Sequence, residues 1–242
     1  MNPKVLKEGG LDYYFEDFSA CPLQELKKFR HPWEMVEGKN SLVNPGASRI
    51  EGEVHPTVVI KGNVVIGKGT VVEPFTVIEG PCIIGENVTI RPHVWIRPVT
   101  VIGNGCVIGK GVEMKNALLF NGAKIGTNCF VGDSVLGQGT RIGSGTILGN
   151  RRFDQQVVQV KIRGEKLSTG SDKFGCILGD YARLGANVVT SPGTLVGAHT
   201  WVTAQSIQGF LPADKLVKGV TQAQVVDKAR VELKARDAKG KA

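Results

Sequence analysis

The chain holds 242 residues, 41% of them apolar but only 6% aromatic, with 32 glycines and a formal charge of +8. That is enough for one long domain or two small ones, and the charge is concentrated: between Lys215 and Ala242 eight basic residues face three acidic ones, which accounts for +5 of the +8. The remaining body is nearly balanced and lacks Arg–aromatic clusters that stack bases, so nucleic acid is not expected as a partner.

No apolar run approaches the ~18 residues of a membrane span, and no signal-peptide core opens the chain. No membrane association is expected, and a cytoplasmic, reducing location is. The five cysteines (Cys21, Cys82, Cys106, Cys129, Cys176) form no C-x-x-C pair and are odd in number, which points away from a disulfide framework or a zinc site.

Residues 1–45 read as a helical N-terminal cap. Leu11, Tyr14, Phe15 and Phe18 lie at helical spacing, as do Leu23 and Leu26 after Pro22, and Pro32 ends the second segment. The spacing predicts two short helices or turns packed over the N-terminal end of the neighbouring domain, where strand edges need cover.

From Val54 the chain repeats in sixes. Val54, Ile60, Ile66, Val72, Ile78, Ile84, Ile90, Ile96, Ile102, Ile108 and Met114 are all aliphatic or Met. Four places later come Val58, Thr70, Thr76, Val88, Val94, Thr100, Cys106 and Val112, and glycine often follows the aliphatic residue, as at Gly67, Gly85, Gly103 and Gly109. A helix would repeat at three and four residues and an amphipathic strand at two. A period of six is that of the hexapeptide parallel β-helix, three hexads to a triangular coil, with one aliphatic side chain per face pointing to the axis. The fold class is therefore an all-β solenoid over 46–208, with short helical extensions at both ends. Glycine after the inward residue is expected to ease the corners.

Shorter steps carry the pattern through Leu119, Ile125, Val131, Leu136, Ile142 and Leu148. It stops over 149–176, a polar, basic stretch too long for a corner and so a candidate functional loop. Within it Val157, Val160 and Ile162 alternate with polar residues and predict a hairpin. Hexads resume at Leu178, Leu184, Thr190, Val196 and Val202. The remainder, 209–242, is read as a helical, basic tail with helical spacing at Val225, Val226, Ala229 and Leu233.

A prism has no deep cleft, so candidate site residues are outward-pointing ones and the loop. Arg97 follows inward Ile96, and Lys115 follows inward Met114, one coil of eighteen residues on. They should stack on one outer face about 5 Å apart. Two like charges at that distance invite an anion such as phosphate; the alternative is two solvated cations with Glu113 nearby.

The run from VEMKNALLFNGAKI through FVGDSVLGQGTRIGSGTILGN, and the loop NRRFDQQVVQVKIRGEKLSTGSDKFGCILGD, resemble the acetyltransferase half of bifunctional sugar-1-phosphate nucleotidylyltransferase/acetyltransferases that make UDP-N-acetylglucosamine; the loop is most like the archaeal ones. The resemblance covers roughly 54–207. It implies a left-handed β-helix, a homotrimer with sites between subunits, acetyl-CoA or another acyl-CoA as donor, and a sugar phosphate or sugar nucleotide as acceptor. Such enzymes use a histidine as general base just before a Gly-Asp pair. Arg97 and Lys115 fall on their phosphate-binding pair and Asn150 on the asparagine that opens the loop. Thr127, in GTNCFVGD, falls on the base, Phe130 on a sugar-binding tyrosine, Gln156 on the loop lysine, and Gln159 on a further archaeal lysine.

A threonine hydroxyl cannot take a proton from glucosamine's ammonium near pH 7, and loss of a general base typically costs 10²–10⁴-fold. His31, His55, His93 and His199 are expected to be surface residues, and Cys129 lacks a histidine to activate it. No glycine loop of the nucleotidylyltransferase type occurs, so a separate protein would make any sugar nucleotide. The leading expectation is an acyl-CoA-dependent acyltransferase-like protein of sugar-phosphate metabolism with altered or impaired catalysis. The alternative is a non-catalytic trimeric sugar-phosphate- or nucleotide-binding or scaffold subunit. Four scattered histidines do not suit a metal-dependent, carbonic-anhydrase-like site, and no metal is expected.

Overall fold

The computed structural model describes residues 3–219. Its body is a left-handed β-helix of about nine coils built from three parallel sheets. The first sheet stacks nine strands from Arg49–Ile50 to Phe210–Leu211, the second nine from Glu53–Val54 to Leu216–Val217, and the third eight from Val59–Lys61 to Ser206–Ile207. Register follows the six-residue period: Val54 pairs Val72, Ile60 pairs Ile78 and Ile66 pairs Ile84.

The inward residues from Ile66 to Met114 are buried to 1% exposure or less. The small residues four places on close the corners. Thr70 Oγ1 donates to the Gly85 carbonyl at 2.7 Å, and Cys106 Sγ to the Phe120 carbonyl at 3.2 Å. These side chains satisfy carbonyls that a tight corner would otherwise leave unpaired.

The glycines after the inward residue have a different role from the one expected. A Cβ on Gly67 would lie 2.7 Å from the Gly85 carbonyl, so this position is bare because adjacent coils touch there. The left-handed backbone falls two residues later, at Gly69 (φ +72) and, in other coils, at Asn87 and Asn128, or one residue later at the shorter corners of Asn116 and Asp133, residue types that tolerate it.

The N-terminal segment does not lie over the end of the prism, as the sequence suggested. Ile50 remains 47% exposed there. Short helical turns (Pro3–Glu8, Leu11–Tyr13, Phe18–Ala20, Gln24–Lys28, Glu34–Gly38, Lys39–Ser41) run instead along the outer face of the first sheet. That sheet is apolar on both sides: Val101, Leu118, Phe120, Val135, Ile177 and Leu195 point outward and form a second core with Tyr14, Phe15, Phe18, Leu26, Trp33 and Met35. Phe15 stacks on Phe120 with ring centroids 4.7 Å apart. The Asn121 and Asp180 amides donate to the Ala20 and Tyr14 carbonyls, at 3.0 and 2.7 Å.

The 149–176 stretch contains the antiparallel hairpin Gln159–Ile162/Glu165–Ser168. Its buried residues are Val158, Val160 and Ile162, which join the second core, while Val157 is exposed. Arg163 at its tip pairs with Glu8 of the first helix. The β-helix also continues past residue 208: Phe210–Leu211 and Leu216–Val217 pair with the coil before them, so the start of the expected helical tail is solenoid. The helical spacing at Val225, Val226, Ala229 and Leu233 lies outside the described residues.

Candidate functional site

Arg97 and Lys115 leave the third sheet one strand apart, as Met114 pairs Ile96. After them the chain turns the corner into the first sheet through Val99, Asn116 and Asp133, all at positive φ (61°, 47° and 47°). This conformation swings the Asn116 and Asp133 side chains back over the corner. Glu37 and Asn40 of the N-terminal segment approach from one side and Gly170–Lys173 of the loop from another. Together they enclose a polar cavity of about 650 Å³ lined also by Arg97, Lys115, Asn116 and Asp133.

The two cations do not depend on an anion between them. Arg97 Nη1 pairs with Glu113 at 3.0 Å and lies over the Trp95 ring, 4.9 Å from its centroid. Lys115 Nζ lies 3.6 Å from Asp133 Oδ2. Each cation has its own carboxylate, so repulsion alone does not require a phosphate. Both keep unused donors: Arg97 has five N–H groups and Lys115 three.

Asp133 is the centre of the arrangement. Its carboxylate is 3% exposed, accepts from Asn116 Nδ2 at 2.8 Å on one oxygen, and takes Asn150 Nδ2 and Lys115 on the other. Asn116, Asp133 and Asn150 recur at seventeen-residue intervals, each two places after an inward residue (Met114, Val131, Leu148), so they stack up one corner. Asn116 and Asp133 went unread in the sequence, although that periodic column was its available signal.

The structure sorts the expected site residues. Arg97 and Lys115 line the cavity, and Asn150 joins them through Asp133. Phe130 pairs with Glu113 in the third sheet and leans on Gly132, as does the Asn150 amide. Thr127 is exposed at the preceding corner, its amide bonded to Ser144 Oγ at 3.2 Å. Gln156 is exposed in the loop, bonded to Asp154. Gln159 lines a separate hollow beside Phe210. None of the four histidines lines the cavity: His31 stacks on Trp33, His93 on Phe75, His199 on Tyr181 with Glu16 at 3.1 Å, and His55 bonds Thr57. Cys129 is buried, and that burial raises its thiol pKa, which suits packing and not nucleophilic attack.

A second feature lies on the outer face of the second sheet. Lys124, Arg141, Arg183 and Trp201 occupy one column in successive coils. Arg183 lies over the Trp201 ring, 5.4 Å from its centroid, beside a hollow of about 420 Å³ that Leu216 also lines. Among the described residues no carboxylate pairs with these three cations. In sequence each precedes an inward residue, a pattern visible only once the coils are aligned.

Residues 78–209, more than half the chain, match the family model for the GMPPB C-terminal domain. The chain belongs to that family. The β-helix of this GMPPB C-terminal domain protein is also similar to curated bifunctional enzymes, as its loop and corner motifs suggested. It is 37% identical over 169 residues to the bifunctional sugar-1-phosphate nucleotidylyltransferase/acetyltransferase of Sulfurisphaera tokodaii, which covers 69% of this chain and 42% of that protein. It is 35% identical over 177 residues to the bifunctional protein GlmU of Methanococcus maripaludis, which covers 73% and 43%. The chain thus spans less than half the length of these relatives. A solved Francisella novicida UDP-N-acetylglucosamine acyltransferase is 15% identical, covering 69% of this chain and 66% of that one with a TM-score of 0.28. Among the described residues of this family member, no helix is long and apolar enough to cross a membrane, and no cluster of His, Cys, Asp and Glu is placed to hold a metal.

Proposed function

We propose that this GMPPB C-terminal domain protein is an acyl-CoA-dependent acyltransferase-like protein that takes a sugar phosphate or sugar nucleotide at the Arg97–Lys115 cavity. The observation that carries the reading is the convergence of Arg97, Lys115, Asn116 and Asp133 in one polar hollow. Amide and carboxylate groups suit sugar hydroxyls, and the free guanidinium and ammonium donors suit a phosphate.

The donor would lie on the second sheet. Lys124, Arg141 and Arg183 form a row of cations with no carboxylate partner among the described residues, and Trp201 offers an exposed ring. Cations in line with an aromatic face fit the phosphates and base of a nucleotide such as coenzyme A. Acyl-CoA would supply an activated thioester; the chain's residues bind and orient it. The protein would act as a homotrimer in the cytoplasm.

Calorimetric titration of the full chain tests this. Acetyl-CoA should bind, and Arg183→Ala should weaken it about tenfold or more without affecting the sugar site. Glucosamine 1-phosphate or UDP-N-acetylglucosamine should bind, and Arg97→Ala should weaken that in turn; a lost charge-assisted hydrogen bond is worth about 1.5–3 kcal/mol. No binding of either ligand sinks the proposal. Sugar-ligand binding without acyl-CoA binding selects the second reading, a non-catalytic trimeric binding or scaffold subunit, which the exposed Thr127 and the absence of histidine from the cavity favour.

A further inference from the structure

The cavity has a wall that the β-helix does not supply. Lys39 follows the short helix Glu34–Gly38 of the N-terminal segment and is fully buried. Lysine is among the residues least often buried without a partner. Its ammonium donates to the Val36 carbonyl at 3.0 Å, to Asn40 Oδ1 at 3.3 Å, and to Asn116 Oδ1. The last contact crosses from the segment to the corner column.

That contact and the Asp133 carboxylate together fix which way Asn116 faces. An asparagine amide presents an acceptor on one side and donors on the other. With its oxygen on Lys39, the Asn116 nitrogen must face Asp133, and it donates to Oδ1 at 2.8 Å. Asn150 holds the other carboxylate oxygen. A chain of polar groups, buried at Lys39 and Asp133 and half-buried at Asn116 and Lys115, therefore runs from the N-terminal segment to the cavity. Were Lys39 absent, the Asn116 amide would lose its second anchor and could swing away from the corner, and Asp133 would lose that donor and lean more heavily on Lys115.

We infer that Lys39 is a positioning residue for the Arg97–Lys115 cavity: through Asn116 it fixes the Asp133 carboxylate and so leaves Lys115 free to donate to an anionic ligand. This rests on the reading of that cavity as a sugar-phosphate or sugar-nucleotide site. It makes the N-terminal segment part of the binding site, where packing alone would make it a cover for the first sheet.

The charge of Lys39 is set by opposed influences. Burial pulls its pKa down to about 7, while Glu37 on its own segment and Asp133 on the β-helix hold it up; Cys82 of the neighbouring coil, whose thiol burial pushes up to about 11, adds little. Below that midpoint the ammonium holds the Asn116 oxygen with a charge-assisted hydrogen bond. Above it that bond weakens and the corner loosens, so affinity for an anionic ligand falls as pH rises through about 7.

The test uses the full chain with UDP-N-acetylglucosamine, whose diphosphate does not titrate between pH 6 and 8. Lys39→Met should weaken binding at least tenfold at pH 6.5 and flatten the decline in affinity between pH 6 and 8. In an Asn116→Ala background the same change should cost no more than about twofold, as expected when one residue acts through the other. Equal losses in both backgrounds, or an unaltered pH profile, would overturn the inference. A ligand-free measurement stands beside it: the ¹³Cε titration of Lys39, assigned by its loss in Lys39→Met. Asp133→Asn should lower its midpoint, and a midpoint that stays put overturns the link to the corner. Failure of the wild type to bind the sugar nucleotide or glucosamine 1-phosphate counts against the cavity as a sugar site, while the ¹³Cε shift still decides whether Lys39 and Asp133 are coupled.

Discussion

At the residue scale the site is a lesson in neutralisation. Arg97 and Lys115 stand on one face as their spacing requires, but Glu113 and Asp133 have answered their charge. Of the two carboxylates Glu113 is the one a phosphate could displace, since it is about one-third exposed and Asp133 only 3%. Thr127 lies one hexad corner before Phe130, exposed and without a proton-accepting side chain. If a general base is what the site lacks, Thr127→His should raise acetyl transfer to glucosamine 1-phosphate by ~10²-fold or more, the usual size of that contribution. The rate should follow an ionisation near pH 6.5, the ordinary range of a histidine. A rate that stays flat in a correctly folded variant means that chemistry is not limited there.

At the element scale the decisive piece is the N-terminal segment. Its rings are spaced as though for a helix, yet they fold as a series of short turns because the outer face of the first sheet is itself apolar. Phe15 and Phe18 both reach Phe120, with centroids 4.7 and 5.6 Å away. Phe15→Ala should destabilise this packing by about 3–5 kcal/mol, as for other buried rings. Limited proteolysis should then cut first within residues 1–45, and sugar-ligand binding should fall along with it because Lys39 leaves the corner. A protease pattern identical to wild type would show that the segment is held by its hydrogen bonds and by Arg163–Glu8. The 149–176 hairpin was legible from alternation, with Val160 and Ile162 on the buried face as read; only its start differs, since Val158 and not Val157 opens the set that meets the second core.

At the scale of the whole molecule, covering the first sheet leaves two faces of the prism for other contacts. The third sheet exposes Trp95, Ile147 and Val189, and the second exposes Trp201 and Leu216. The proposed homotrimer would use these faces. Sedimentation equilibrium should give three times the chain mass, and Ile147→Glu together with Val189→Glu should reduce it to one. A monomeric wild type would confine both ligands to sites within a single chain.

The period of six determined the solenoid by itself, because residues that point to the axis of a stacked coil are almost all aliphatic, Met114 and Thr190 aside, and nothing else in the chain competes with eleven such positions in register. The same period was enough to put Arg97 and Lys115 on one face. What packs on the outside of the prism was decided only in three dimensions. The sequence could not say that the N-terminal rings would choose the first sheet over the open end, nor that Lys39 would be buried against Asn116. It could not say that cations from three separated hexads would line up beside Trp201. Inward positions obey one repeating constraint, whereas each outward position answers to whichever distant segment arrives to cover it.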